Sequence, residues 1–254
     1  MPTSLHLTSS PHFPPAKTHT LCCTMSAPRP EPAEKQWVTI KTTLPTIPYP
    51  PPESRPPIIT SRLLIRPLAA TDLHALHALE TQPQVVQWSS RGVPNASIEA
   101  TRRVLRDKLA DDLATYEVAI CLRESPGEMI GIGGSHRRVG NLGWPVLSYA
   151  LRFEHWGRGY ATEFLQAFLS RWWALPRDEV ELRVEASTVG RSGDSDVKDE
   201  CVTSVTTERN VASQRVMIKS GMSLAKVWSE KDLARPDEDA SITMLGFTAT
   251  KPAE

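Results

Sequence analysis

The residues between Trp156 and Thr162 have the types and spacing of an anion-binding turn. Gly157 and Gly159 flank Arg158, and the run lies where a predicted strand gives way to a predicted helix. Glycines let a ligand approach the backbone closely, and the first amides of a helix have no partner within the helix. The helix dipole and Arg158 add positive charge at the same end, so the turn suits a diphosphate better than a single carboxylate.

The spacing of these glycines does not by itself establish a ligand. The run lacks the third glycine of the dinucleotide fingerprint and the lysine of a phosphate-binding P-loop. A tight turn that needs small residues explains the pattern equally well. The helix that follows carries one apolar face that would anchor it on a sheet, formed by Ala161, Phe164, Leu165, Phe168 and Trp172.

From Ile58 onward, apolar periodicity and turn signals predict strands and helices that alternate along the chain. Strands are expected at 58–66, 116–122, 129–135, 144–153, 180–186, 223–228 and 241–248. Helices are expected near 71–79, 98–112, 160–173 and 211–220. This order favours one α/β domain, of the α+β kind, with a mostly antiparallel sheet.

The first 57 residues differ in composition from the rest of the chain. They contain 14 of the 22 prolines and none of the 13 glycines. Because proline removes backbone donors and favours extended conformers, we expect residues 1–57 to be a disordered, proline-rich tail. Such a tail is either a ligand for a proline-binding module or a solvated extension. The folded domain is expected over residues 58–249, with a short C-terminal tail at 250–254.

The charge balance argues against several classes of function. Lys plus Arg and Asp plus Glu both number 29, so no excess charge favours a nucleic acid or an anionic membrane as partner. No stretch reaches the roughly 18 apolar residues that cross a bilayer, and the N-terminus lacks the apolar block of a secretory signal. We therefore expect a cytoplasmic protein. The four cysteines are Cys22, Cys23, Cys121 and Cys201. They form no CxxC pair, so we expect reduced thiols and no metal site.

Four motifs follow one another along the chain. They are Arg62-Leu-Leu-Ile-Arg66-Pro67-Leu68, Trp156-Gly-Arg-Gly-Tyr-Ala161-Thr-Glu163, Asn210-Val-Ala-Ser213 and Lys219-Ser-Gly221-Met222. In this order they resemble the GNAT superfamily of acyl-CoA N-acyltransferases, in its RimJ/RimL-type branch, over roughly residues 58–249. The resemblance implies a six- to seven-stranded, mostly antiparallel sheet that splays open in the middle, flanked by about four helices, with acetyl-CoA in the gap.

The resemblance also implies which positions hold acetyl-CoA as the co-substrate. The strand at 144–153 would be the family's fourth strand, whose backbone around Leu151 and Phe153 pairs with the pantetheine arm as an added strand does. The diphosphate would be held by Gly157, Arg158, Gly159, Tyr160, Ala161 and Thr162. Many members carry Gln or Arg where this chain has Trp156, which is usual for the branch that it resembles.

Two residues of the third motif are implied in the chemistry, in which a neutral amine attacks a thioester and a thiolate departs. Asn210 and Ser213 match residues near the thiol end of CoA. Asn210 would contact the pantetheine, and Ser213 would donate a proton to the sulfur. Capping of the following helix is the alternative role for both residues.

The candidate for the general base is Glu185. It shares one face of the predicted strand at 180–186 with Glu181 and Arg183, and related enzymes place an acid on this strand. The alternatives are a solvated strand end or a salt bridge to Arg183. Water relayed by backbone carbonyls could also take the proton.

The connection from Ser187 to Arg209 departs from the family, which usually has a short loop there. It spans 23 residues rich in Ser, Thr, Gly and Asp. Loops of this length are generally lids or disordered insertions. We expect a disordered insertion, with a lid over the acceptor site as the alternative.

Together these features predict an acetyl-CoA-dependent N-acetyltransferase that uses direct transfer in a ternary complex. The acceptor would be a primary amine, either a protein N-terminus or a small molecule. The alternative is a degenerate acyl-CoA-binding or interaction domain that keeps the fold and has lost turnover.

Overall fold

The computed structural model describes residues 30–89, 91–111, 114–190, 197–232 and 240–252. The first 29 residues of the expected tail lie outside this part of the chain. The described strands are Trp37–Pro45 (β1), Ile58–Ile59 (β2), Leu63–Pro67 (β3), Tyr116–Leu122 (β4), Met129–Arg137 (β5), Val146–Leu151 (β6), Arg177–Glu185 (β7), Cys201–Thr207 (β8), Ser223–Lys231 (β9) and Ser241–Thr250 (β10). The described α-helices are Leu73–Glu80 (α1), Pro83–Val86 (α2), Ile98–Ala110 (α3), Tyr160–Trp173 (α4) and Val211–Lys219 (α5).

Eight of the strands form one sheet in the order β2-β3-β4-β5-β6-β8-β10-β9. Neighbouring strands are antiparallel except β6 and β8, which are parallel. The mixed α/β class with a large, mostly antiparallel sheet is therefore confirmed. The sheet has eight strands rather than six or seven, and five described helices flank it rather than four.

The sheet opens between its two parallel strands. The ladder between β6 and β8 holds one residue pair, Val146 with Thr203, supported by a bond from Thr203 N to Pro145 O at 2.8 Å. One step further, the Ser204 hydroxyl donates to Leu147 O at 2.9 Å and so occupies a carbonyl that a continued ladder would use. β6 and β8 are paired with each other where they begin, and they are separated from each other where they end, at Leu151 and Thr207.

Helix α4 is fixed to the sheet by the apolar face that the sequence predicts. Phe164, Leu165, Phe168 and Trp172 are fully buried in the main core. Gly133 of β5 lies under Phe164, and a Cβ there would come within 2.6 Å of the ring. This close approach sets the height of α4 above the sheet and so the position of the turn that precedes it.

The expectation of a disordered tail is wrong for residues 37–57. β1 pairs along its whole length with β7, from Trp37 opposite Glu185 to Pro45 opposite Arg177, and forms a separate two-stranded ribbon. Ile40 and Leu44 are buried in a cluster with Trp144. The average composition concealed a proline-free stretch, residues 33–44, in which Ile40, Thr42 and Leu44 form the buried face of a half-buried strand.

The expectation of a disordered insertion at 187–209 is also wrong for the described part, which excludes residues 191–196. Residues 201–207 are β8, a strand of the main sheet, and five of its seven residues are Val or Thr, which favour strands. The strand expected at 180–186 exists as β7, but it lies in the ribbon. The additional strand in the chain order is therefore β7, which pairs with β1 outside the main sheet. The main-sheet strand that precedes Asn210 is β8.

The C-terminal strand is slightly longer than expected. β10 includes Thr250, and Lys251 N donates to Glu200 O at 2.9 Å. In the described part of the chain, no helix is both long enough and apolar enough to cross a membrane.

Candidate functional site

The turn before α4 ends in an uncapped helix N-terminus. Gly159 is the N-cap residue with a φ of +81°, and no side chain caps the first turn. By contrast, Ser97 caps α3 and Asn210 caps α5 through their side-chain oxygens. The first amides of α4 are therefore left for another acceptor, which is the arrangement that anion sites use.

The two glycines of the turn are required by the backbone rather than by crowding. Gly157 has a φ of +72°, and a Cβ there would meet nothing within 4 Å. At Gly159 a Cβ would approach only Arg62, at 3.4 Å from Nη2. Both glycines and Arg158 are exposed, so the concave side of the turn is open.

Arg62 and Glu163 hold this turn from behind. Glu163 accepts hydrogen bonds from Thr60 Oγ1 at 2.6 Å, Ser61 Oγ at 2.9 Å and Arg62 Nε at 2.7 Å. Arg62 also donates from Nη1 to Arg158 O at 2.8 Å. Burial alone would raise the pKa of Glu163, but the hydrogen bonds from Thr60, Arg62 and Ser61 outweigh it and the pKa is lowered.

The backbone of β6 presents a free edge to the gap beside β8. Arg152 N donates to Ile130 O across the pair that follows Leu151 and Gly131. Because hydrogen-bonded pairs alternate along an antiparallel ladder, the N–H and C=O groups of Tyr149 and Leu151 point away from β5. They face the side on which β8 has separated. Leu151 O already accepts a hydrogen bond there from Trp156 Nε1 at 2.7 Å, and an extended amide-containing chain could pair with the other groups.

Ser213 and Tyr149 meet across this gap. Tyr149 Oη lies 2.9 Å from Ser213 Oγ, and the Asn210 side chain accepts from Ser213 N at 3.1 Å. Burial raises the pKa of Tyr149 to about 12, so the phenol stays protonated and remains a hydrogen-bond donor at neutral pH. The N-terminus of α5 thus places Ser213 against β6.

Comparison with known proteins assigns this arrangement to a family. The acetyltransferase (GNAT) domain family matches residues 62–223, which is more than half of the chain. The chain belongs to the GNAT family. Members of this family transfer acyl groups from acetyl-CoA, so the chain is an acetyltransferase by family.

Solved structures of other acetyltransferases share the fold at low sequence identity. A GNAT-family acetyltransferase from Bacillus anthracis is 18% identical with a TM-score of 0.56, over 77% of this chain and 99% of its own. The microcin C7 self-immunity acetyltransferase, solved with acetyl-CoA and AMP, is 12% identical with a TM-score of 0.56, over 75% and 93%. Spermidine N-acetyltransferase from Vibrio cholerae, solved with CoA and spermine, is 12% identical with a TM-score of 0.55, over 76% and 97%. None of the curated proteins matches the sequence.

In this GNAT domain, Glu185 does not occupy the position expected of the general base. It lies at the end of β7 in the ribbon, is 1% exposed, and forms an ion pair with Lys226 at 3.0 Å. Burial would raise its pKa, but hydrogen bonds from Ser187, Lys226 and Gln36 outweigh burial and lower it. The main-sheet strand that leads to Asn210 is β8 rather than β7, so the structure places Glu185 on the ribbon and not on the strand beside the gap.

The alternative salt bridge of Glu185 to Arg183 is not formed either. The Arg183 guanidinium instead lies 5.5 Å from the Trp37 ring, on the ribbon. Arg183 therefore contacts the partner strand of the ribbon, and Glu185 pairs with Lys226 of β9.

Phe153 lies outside the strand in which it was expected. It begins a 3-10 turn at Phe153–His155, and its N–H donates to Gln82 Oε1 at 2.7 Å. The chain has already turned away from the gap at this point. Of the two predicted pantetheine-pairing positions, the structure places Leu151 on the gap edge and Phe153 beyond it.

Sequence reasoning missed three interactions at the site. The bond between Tyr149 and Ser213, the ladder end at Ser204 and the pair Arg62–Glu163 each join residues far apart in sequence. Only the last left a signal, since Arg62 and Glu163 are opposite charges in two of the four motifs. Within the described residues, no group of three or more His, Cys, Asp or Glu side chains could hold a metal ion.

Proposed function

We propose that this GNAT domain transfers an acetyl group from acetyl-CoA to a primary amine by direct attack in a ternary complex. The observation that carries the proposal is the uncapped, glycine-preceded N-terminus of α4, which follows the free edge of β6. One ligand that is both a diphosphate and an amide-containing arm fits these two features together. The four sequence motifs support placing the domain in the RimJ/RimL-type branch.

Binding is assigned mainly to the backbone. The diphosphate accepts hydrogen bonds from the turn and first helical turn, namely Gly157, Arg158, Gly159, Tyr160, Ala161 and Thr162. Arg158 adds its positive charge, and the edge of β6 at Leu151 and Tyr149 pairs with the pantetheine amides. Asn210, whose side chain caps α5, borders the same gap.

The chemistry is an attack of the neutral amine nitrogen on the thioester carbonyl. A C–N bond forms, the C–S bond breaks, and the nitrogen loses one proton while the CoA sulfur gains one. Ser213 Oγ, held by Tyr149, donates the hydrogen bond that stabilises the departing sulfur. With Glu185 in the ribbon, water relayed by backbone carbonyls takes the proton from nitrogen.

The acceptor is proposed as a protein N-terminal amine or a small-molecule amine. Structural neighbours include a spermidine N-acetyltransferase and a ribosomal L7/L12 α-N-protein acetyltransferase, the latter 15% identical with a TM-score of 0.52. The names of these two enzymes give two amine classes, which define the acceptor panel for a test.

The test is a calorimetric titration of the full chain with acetyl-CoA, followed by turnover on spermidine and on peptides with free N-termini, read by release of free thiol. We expect micromolar affinity in the wild type. The Gly159→Glu variant should abolish it, because it adds a negative charge and a side chain at positive φ.

The matched control is Gly221→Glu. Gly221 has a φ of +85°, and a Cβ there meets nothing within 4 Å, so the backbone strain is similar at a site away from the turn. A folded wild type that binds no acetyl-CoA would overturn the proposal. Binding without turnover on any amine would favour a degenerate acyl-CoA-binding domain instead.

A further inference from the structure

We propose that Arg62 is a positioning residue for the diphosphate of the acyl donor: it fixes the peptide between Arg158 and Gly159 so that an N–H faces the ligand. The inference rests on the proposed function, since it assigns how the same site is preorganised. Arg62 itself is assigned no contact with the ligand.

The contacts of Arg62 show why its charge is not free for a phosphate. Nε donates to Glu163 Oε2 at 2.7 Å, and Nη2 lies 2.6 Å from the same oxygen. Nη1 donates to Arg158 O at 2.8 Å, and the guanidinium carbon lies 4.7 Å from the centre of the Tyr160 ring. One planar group therefore holds a helix side chain, a turn carbonyl and the first helical residue.

Glu163 connects this group to the sheet. Its carboxylate also accepts from Thr60 Oγ1, from Ser61 Oγ and from the Arg62 N–H at 2.9 Å, all in the turn between β2 and β3. The first turn of α4 is thus held to the turn between β2 and β3. A turn held in this way loses little entropy when a ligand binds.

The bond to the Arg158 carbonyl decides which way the next amide points. The C=O and N–H of a trans peptide point in opposite directions, and the only cis peptide among the described residues is Ile47–Pro48. Because the Arg158 carbonyl is directed at Arg62, the N–H of Gly159 is directed away from Arg62. It faces the open side of the turn, together with the uncapped amides of α4.

A lysine cannot replace this function. Its ammonium is a point charge that can pair with Glu163, but it cannot at the same time hold the Arg158 carbonyl and stack on Tyr160. Arg62→Lys should therefore keep the ion pair and much of the stability while releasing the peptide. Glu163→Gln, which removes the partner charge, is the second variant.

Arg66, which lies in β3 four residues after Arg62, provides a matched control. Its guanidinium forms two bonds with Asp72, at 2.8 and 2.7 Å, and contacts no residue of the turn. Arg66→Lys weakens an equivalent arginine–carboxylate pair elsewhere, so it reports the effect of structural loosening alone.

The experiment measures the affinities of the full chain and the variants for three probes: acetyl-CoA, adenosine 3′-phosphate 5′-diphosphate and S-acetylpantetheine. The second probe carries the diphosphate without the arm, and the third carries the arm without the diphosphate. In Arg62→Lys and Glu163→Gln we expect affinity for the first two probes to fall about tenfold, as for loss of one charge-assisted hydrogen bond. Affinity for S-acetylpantetheine should not change, and Arg66→Lys should change none of the three.

Each other result overturns the inference in a recognisable way. If wild type binds acetyl-CoA and Arg62→Lys binds it equally well, Arg62 does not position the turn and the proposed function stands. If Arg62→Lys weakens all three probes together, or Arg66→Lys has the same effect, the role of Arg62 is general stability. If the folded wild type binds none of the probes, the proposed function fails and the inference fails with it.

Discussion

The ion pair between Arg177 and Glu200 joins the added ribbon to the rest of the domain. Arg177 Nε donates to Glu200 Oε2 at 2.6 Å, and Nη2 donates to Trp172 O at 2.6 Å at the end of α4. Thr43 of β1 donates to the same Glu200 oxygen at 3.3 Å. The side chains of Arg177 and Glu200 are 11% and 0% exposed, so both charges are shielded from water.

We predict that Arg177→Ala destabilises the protein strongly. Removing one member of a buried pair leaves the other charge without compensation, which costs about 3–5 kcal/mol. For a domain of this size, that free energy lowers the melting temperature by roughly 6–20 °C. The measurement is urea unfolding of the full chain, with thermal unfolding as a second readout.

The loss of unfolding free energy in Arg177→Ala should depend on pH. Burial raises the pKa of Glu200 even though Arg177 opposes it, and without Arg177 the pKa in the folded state rises further. A carboxyl with a raised folded pKa favours the folded state where it is protonated, so the deficit should be largest at high pH and shrink as pH falls.

Two controls distinguish the effect of the uncompensated Glu200 charge from nonspecific destabilisation. Arg102→Ala breaks a pair with Glu99 at 3.8 Å whose side chains are 58% and 62% exposed, and should change stability by less than about 0.5 kcal/mol. Adding Glu200→Gln to Arg177→Met removes both charges and should recover part of the loss. The reasoning is refuted if Arg177→Ala costs less than about 1 kcal/mol, or if the double variant is no more stable than Arg177→Met.

Three further predictions concern the site and the ribbon. Tyr149→Phe should lower kcat several-fold at unchanged acetyl-CoA affinity, because it removes the hydroxyl that holds Ser213; steady-state kinetics beside calorimetry would show it, and an unchanged kcat would contradict it. Glu163→Gln should destabilise the protein at neutral pH. The deficit should disappear as pH falls through the lowered pKa of Glu163, since that carboxylate stabilises the fold only while ionised; equal deficits in melting temperature at pH 7 and in acid would argue against it. Leu44→Ala should cost about 2–5 kcal/mol, because Leu44 is 0% exposed, whereas exposed Thr39→Ala should cost little in urea unfolding; equal costs would mean that β1 is not packed.

Local signals in the sequence predicted α4 and its turn well. The apolar face from Ala161 to Trp172 has helical periodicity, and glycine is the residue that a positive φ requires, so both features are encoded within about twenty residues. Four motifs in order then predicted the class of fold. The geometry of this region depends little on distant parts of the chain.

The ribbon and β8 could not be recognised in the same way. β1 is stable only because β7 and Trp144 cover it, and nothing near residues 37–45 reveals a partner so distant in sequence. β8 contains Ser and Thr residues whose burial follows from its central position in the sheet, although their polarity is typical of loops. The choice of Glu185 as candidate base depends on the strand at 180–186 lying in the main sheet, and the structure places that strand, β7, in the ribbon.

The pairing of β1 with β7 also affects how the protein is made. Gln36, just before β1, and Glu185, at the end of β7, are bonded although they are 149 positions apart. At ribosomal rates of about 5–20 residues per second, β1 is synthesised roughly 7–30 s before β7 is complete. During this time a nascent strand with Ile40 and Leu44 has no partner, so the ribbon closes only after nearly three quarters of the chain exists. Fragments that end before residue 177 would expose this strand permanently, and they are the species in which we expect aggregation to begin.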